Sequence, residues 1–199
     1  MSDISLIADY LNTKLQASTG YFNGKAFQKG KFTGLCKQIS RVLPDSTVEK
    51  QIILYDDVNG KEGTGVYPDD KYPFQLYHRI KEISPSDEQN DEFFGDGTDK
   101  ILIFEMGLIV ISDKFNVELS QEQLITGLSL DLPINIKPSA IVSSQFSDCE
   151  IKIGDVDTES SSVFNTEYGK AGELPQQFIM FALTYEIRLI YSKACYDLC

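Results

Sequence analysis

Tryptophan is missing from this 199-residue chain, and histidine occurs once, as His78. A lone histidine supplies no metal-binding pair. Because no cysteine or carboxylate adjoins it on its own alternating segment, a satisfied core or surface imidazole explains it better than a catalytic base. Cysteine is sparse and scattered: Cys36, Cys149, Cys195 and Cys199 lack the dense even spacing of a secreted disulfide scaffold and are expected to be free thiols. Cys195 and Cys199 are spaced as two ligands on one helical turn, but zinc takes four, so no metal is expected. Long apolar runs are absent too. Stretches such as ILIF before Glu105 are far too short to cross a bilayer, which excludes a membrane partner. The opening MSDISLIADY carries acids where a signal peptide carries bases, so the expected site of synthesis and assembly is the cytoplasm.

The motifs of nucleotide and calcium chemistry are missing as well. Gly20 to Ala26 has three residues between its glycines where a phosphate loop has four, and Ala26 stands where Ser or Thr must hold magnesium. Gly24 to Lys31 misses in the other direction, and GKEGTG at 60–65 inverts the dinucleotide fingerprint. The acidic groups Asp56, Asp57, Asn59, Glu62 and Asp96, Asp99 put Lys61 and Lys100 where a calcium loop needs an oxygen ligand. No nucleophile and base stand in a recognisable relation. The expectation is a protein with no catalytic, cofactor-binding or metal site.

A net charge of −12 argues against a groove built to grip phosphates. The charge is unevenly spread. Residues 1–50 hold seven basic and four acidic side chains, residues 51–115 six and fourteen, and residues 116–199 five and twelve. From Tyr10 to Pro44 there is no acid, only Lys14, Lys25, Lys29, Lys31, Lys37 and Arg41. Charge runs are usually solvated faces. The sharper reading is complementarity, a basic edge of one copy meeting an acidic edge of the next.

Residues 5–15 place Leu6, Ile7, Tyr10, Leu11 and Leu15 along a helical face behind a capping Asp3. A glycine-rich loop follows, then a short helix over 35–42 and a buried strand over 50–57. Phe74, Leu76, His78 and Ile80 alternate with Gln75, Tyr77, Arg79 and Lys81, as in a half-exposed strand. The acidic stretch 84–99 reads as a mobile loop. KILIFEMGLIVISD from Lys100 is apolar on both sides and predicts a central strand, with Phe104, Met106 and Leu108 in the core. Its one acid, Glu105, is expected at a bulge beside Gly107, paired with Arg188, or facing a neighbouring subunit. Ser120 and Gln123 have capping-box spacing before a helix over 121–128. Cys149, Ile151 and Ile153 alternate with charged residues in a further strand, and residues 155–177 read as a polar link. The last ribbon, Phe178 to Lys193, keeps a period of two with Ile179, Phe181, Leu183, Tyr185, Ile187, Leu189 and Tyr191 on one side. At about 50 Å it is longer than most strands, so part of it is expected to leave the domain sheet.

The order helix, strand, strand, long strand, helix, strand, long strand describes an α+β fold. The expectation is a single domain over 1–199: a small mixed or antiparallel sheet, an N-terminal helix and a second short helix packed on it, and extended loops near 18–33 and 83–99.

This succession, carried by ISLIADYLNTKL, KQIILYDD, KILIFEMGLIVISD with SQEQLITGL after it, and CEIKIGDV leading through SSVFNTEYGK to ALTYEIRLIY, resembles the tail terminator proteins of long-tailed bacteriophages and their relatives at the phage neck. The resemblance implies a non-enzymatic virion protein of the tail or neck. Such a protein forms a hexameric or dodecameric ring that caps the tail tube and joins it to the head through connector proteins, with DNA only as passing cargo. Candidate intersubunit contacts are Lys25, Lys29 and Lys31 on the basic segment, Phe93 and Phe94 in the acidic loop, and Glu186 and Arg188 on the last ribbon. The chain departs from that pattern by its length. A monomeric intracellular adaptor or binding module is the alternative, its long strand bending round its own core.

Overall fold

The computed structural model describes residues 3–17, 30–42, 44–46, 48–55, 65–85, 100–117, 119–141, 145–169 and 173–192. Among them lie three α-helices, α1 (Asp3–Ala17), α2 (Gln121–Asp131) and α3 (Ser160–Tyr168). Six strands accompany them: β1 (Lys31–Val42), β2 (Val48–Leu54), β3 (Phe74–Pro85), β4 (Lys100–Asp113), β5 (Asp148–Asp157) and β6 (Phe178–Tyr191). All six strands join one mixed sheet, ordered β2-β1-β3-β4-β6-β5. β1 and β3 run parallel; every other neighbouring pair is antiparallel. The fold is α+β, as the element order implies.

The central strand is where the two-sided apolar pattern puts it. On one face of β4, Phe104, Met106, Leu108 and Val110 meet Phe181, Leu183, Tyr185 and Ile187 of β6, under Ile7, Leu11 and Leu15 of α1 and Leu124 and Leu128 of α2. α1 buries the stripe Ile4, Ile7, Leu11, Leu15, while Leu6 and Tyr10 are half-buried at its margin. The other face carries a second, smaller core in which Ile109, Ile111, Met180 and Ala182 lie under Val163, Phe164 and Tyr168 of α3.

α2 begins with the capping box read from the sequence: Gln123 N–H donates to Ser120 Oγ at 3.2 Å and Ser120 N–H to Gln123 Oε1 at 2.9 Å. Asp3 does not cap α1 but lies within its first turn. Its carboxylate accepts from Gln145 N–H and from the Tyr191 hydroxyl, fastening α1 to the end of β6.

Five expectations are corrected. Residues 35–42 are not a helix but the second half of β1, paired with β2 from Cys36 to Val42 and with β3 only at Leu35 and Cys36. Residues 160–168, read as part of a polar link, form α3. Gln75 and Tyr77 are therefore buried, where a half-exposed strand was expected. The loops are shorter than 18–33 and 83–99, since β1 starts at Lys31 and β3 runs to Pro85.

The fifth correction concerns the last ribbon. Residues 178–191 pair without a break against 113–100 of β4, and their second side carries β5. β6 is long because β4 is equally long, and none of these residues leaves the sheet.

Candidate functional site

His78 sits at the centre of β3 with no solvent contact. Its Nε2 lies 2.9 Å from Asn12 Oδ1 and its Nδ1 2.7 Å from the Tyr185 hydroxyl. An amide oxygen only accepts, so Nε2 carries the proton and Nδ1 accepts from Tyr185. Asn12 Nδ2 then donates to the Thr33 carbonyl at 3.2 Å. The chain Tyr185–His78–Asn12–Thr33 ties β6, β3, α1 and β1 together and satisfies each polar group it buries. Burial pushes the imidazole down to about 3, so it is neutral and sealed. This is a core histidine, as its isolation in the sequence implied.

A second polar cluster lies beneath α3. Arg79 Nη2 reaches Glu167 Oε1 at 2.8 Å, and the Tyr77 hydroxyl donates to Glu167 Oε2 at 3.1 Å. Burial raises the Glu167 carboxyl, while Arg79 and the Tyr77 hydrogen bond oppose that rise. Gln38 Nε2 donates to the Thr166 and Glu167 carbonyls, and Lys50 Nζ to that of Thr166. These are the open carbonyls of a helix C-terminus, which need such donors. Gly169 follows with φ of 74° and ends the helix in the left-handed region that glycine tolerates. At the other end, Ser160 Oγ donates to the Met180 carbonyl and accepts from Met180 N–H.

α3 covers only one half of its face of the sheet. Beyond it the strands present Lys81, Glu105, Thr184, Glu186, Arg188 and Lys152. Glu105 is directly opposite Glu186, and Lys152 opposes Glu186 from the other side. Lys81 Nζ relieves the like-charge contact, lying 3.7 Å from Glu105 Oε1 and 2.7 Å from Thr184 Oγ1. The bulge expected beside Gly107 belongs instead to β3, between Ile80 and Glu82, opposite Met106 and Glu105. Arg188 pairs with Glu150 at 3.6 Å. Arg188, Glu150, Lys152, Glu186 and Ile134 line a groove of about 690 Å³.

The groove presents side chains of both charges on an open half-face of the sheet. Cys36 and Cys149 are free buried thiols, each pushed up to about 12 mainly by burial, which leaves them unreactive. Among the described residues no group of three or more His, Cys, Asp or Glu is placed to hold a metal ion. Among them, too, no helix is long and apolar enough to cross a membrane.

Of the candidate contacts, Glu186 and Arg188 share this groove on β6. Lys31 opens β1, three positions away in the sheet order, with its ammonium over the Tyr72 ring at 5.6 Å. The structure does not bring these residues together; it places them toward different ends of the sheet. Lys25, Lys29, Phe93, Phe94, Cys195 and Cys199 lie outside the described residues, as do the acidic loop from residue 86 to 99 and most of the glycine-rich stretches. Sequence reasoning missed Arg79 and Glu167. Their one signal was the pair of four-residue spacings Val163–Glu167 and Phe164–Tyr168, which put an acid on the buried face of a short helix. Compared with known proteins, the chain matches no family model and no curated protein.

Proposed function

We propose that this chain is a non-enzymatic structural protein of a long-tailed phage virion, a tail terminator or neck protein that closes into a ring, caps the tail tube and joins it to the head. Its element succession supports this reading: an N-terminal amphipathic helix, a sheet, and a central strand that feeds a short capped helix. The observation that carries it is the unlikeness of the two ends of the sheet. At the β1–β2 end Val42 and Val48, opposite each other in the register, are exposed; at the β5 end Leu130, near the end of α2, and Ile134, on the segment bridged to β5, are exposed. Grouped apolar side chains on a surface mark contacts, and two unlike contact surfaces on one subunit join head to tail, closing into rings when the rotation permits.

The complete pairing of β6 inside its own sheet favours the other reading, a monomeric adaptor, because among the described residues every strand is taken into that sheet. Cross-linking separates the two. With Cys195 and Cys199 replaced by Ser, a Val48→Cys/Ile134→Cys chain is expected to give a ladder of oxidised oligomers ending at a closed ring. Each single variant should stop short of a ladder. A double variant that stays monomeric at high concentration would favour the adaptor.

A further inference from the structure

α3 runs for nine residues, and the apolar side chains it buries are Val163, Phe164 and Tyr168. Its other fasteners are polar. Ser160 Oγ bonds both the N–H and the carbonyl of Met180 at one end, and at the other Gln38 and Lys50 donate to the last carbonyls of the helix. Between them Glu167 takes Arg79 and Tyr77. Water can replace each of these bonds when the groups are exposed, so each adds little net stability to the closed form. The fit is also incomplete. Arg79 reaches Glu167 through Nη2, but its buried Nε finds no acceptor among the described residues, a cost that solvent removes once the group is uncovered. The sheet beneath is held without α3. β3, β4 and β6 keep their own ladders, and their opposite face is packed under α1 and α2 in the main core.

We propose that α3 is a lid: it lifts from the sheet as a unit while the six strands, α1 and α2 stay folded, and lifting it joins the second core, with Tyr77, Ile109, Ile111 and Met180, to the charged half-face beside it. This goes beyond the ring reading and does not depend on it. Short helices held by few apolar contacts lie at the low-stability end of a molecule and open before its core strands do. The hinges are visible at both ends. Gly169, with φ of 74°, turns the chain after the helix where other residues would be strained, and Thr158 and Glu159 link the helix to the end of β5 without a side-chain cap. Two buried thiols report the two layers separately. Cys36 belongs to the second core with Val163, Phe164 and Tyr168, and Cys149 belongs to the main core. A thiol buried among apolar groups is inert until its cover is removed.

The test is thiol labelling of the full-length chain carrying Cys195→Ser/Cys199→Ser. An aromatic disulfide reagent is added in excess at urea concentrations below the unfolding transition, and each site is followed by peptide mass spectrometry. Cys36 is expected to react at least about tenfold faster than Cys149 and with a shallower dependence on urea, because lifting α3 exposes less surface than unfolding the chain. Ser160→Ala removes the fastener at Met180 and is expected to raise the Cys36 rate about fivefold while leaving Cys149 unchanged. Ser160 is bonded to β6, so that rise reports α3 and not fraying of the β1–β2 hairpin that carries Cys36. Glu167→Gln, which keeps the shape and removes the charge facing Arg79, is expected to act in the same direction. A variant that fails to fold shows itself by fast labelling of Cys149, and the other variant then decides. Equal rates for the two thiols, in the parent or in both variants, would mean that α3 comes away only with the whole molecule and would overturn the lid. A Cys36 rate indifferent to both substitutions would overturn it as well.

Discussion

His78 shows how one side chain can order four elements and still do no chemistry. Its two nitrogens are spent on Asn12 and Tyr185, and burial holds it well below the usual imidazole range, at about 3. In the unfolded chain the ring takes a proton near 6.5. As pH falls below that value the unfolded state therefore binds the extra proton first. Stability is full above about 6.5 and is lost by up to about 1.4 kcal/mol per pH unit on the way down toward the folded value. Urea titrations from pH 7 to pH 4 are expected to show this slope, and His78→Gln to flatten it; equal slopes in both chains would deny His78 the role. Glu167 acts with the opposite sign. Burial raises its carboxyl, so its contribution shrinks as pH rises through the raised value. It is retained by its partner: Glu167→Ala leaves the Arg79 charge without its 2.8 Å contact and should cost about 3–5 kcal/mol. Denaturant unfolding with no loss would mean that α3 does not depend on this pair.

Among the elements, β4 and α2 were legible because local pattern and tertiary role agree. Phe104 lies in the main core where the two-sided strand placed it, and Phe104→Ala should cost about 3–5 kcal/mol in chemical denaturation. A variant as stable as the parent would remove Phe104 from the core. Ser120→Ala should cost about 1 kcal/mol by loss of the cap on α2, seen as a lower melting temperature with the fold retained. β1 and α3 were illegible for opposite reasons. Leu35, Ile39 and Val42 fall at helical spacings, but Cys36 to Val42 pair along their whole length with β2, and Leu35 and Cys36 also with β3, and strand pairing overrides a short periodic signal. In α3 the sequence SSSVFNTEY offers few apolar residues, and a nine-residue helix is stable only through what it packs on. Here that is Met180, Tyr77 and the Arg79 side chain, all distant in sequence. The open charged half-face followed from the same omission, since its extent is set by where α3 stops. The alternation of Asp148, Glu150 and Lys152 with Cys149, Ile151 and Ile153 was readable, but its place at the far end from β2 is a property of strand order, which no local pattern encodes.

At the scale of the whole molecule, the acid-free segment from Tyr10 to Pro44 gains a location. Part of it forms β1, beside β2 at one margin of the sheet, and the acids of β5 stand at the other. Some of the basic charge is already engaged within the chain. Lys14, Lys31 and Lys37 each lie over a tyrosine ring, and Lys37 also donates to the Tyr55 carbonyl. The aromatic platforms hold these ammonium groups in place without neutralising them. The most direct measurement of this account is imaging of assembled phage particles with density, or a bound antibody, assigned to this chain. On the proposed reading, such images are expected to show a closed ring of identical copies between tail tube and head. Particles that lack the chain altogether, or a chain recovered only as an isolated monomer with no tail or neck contact, would contradict it.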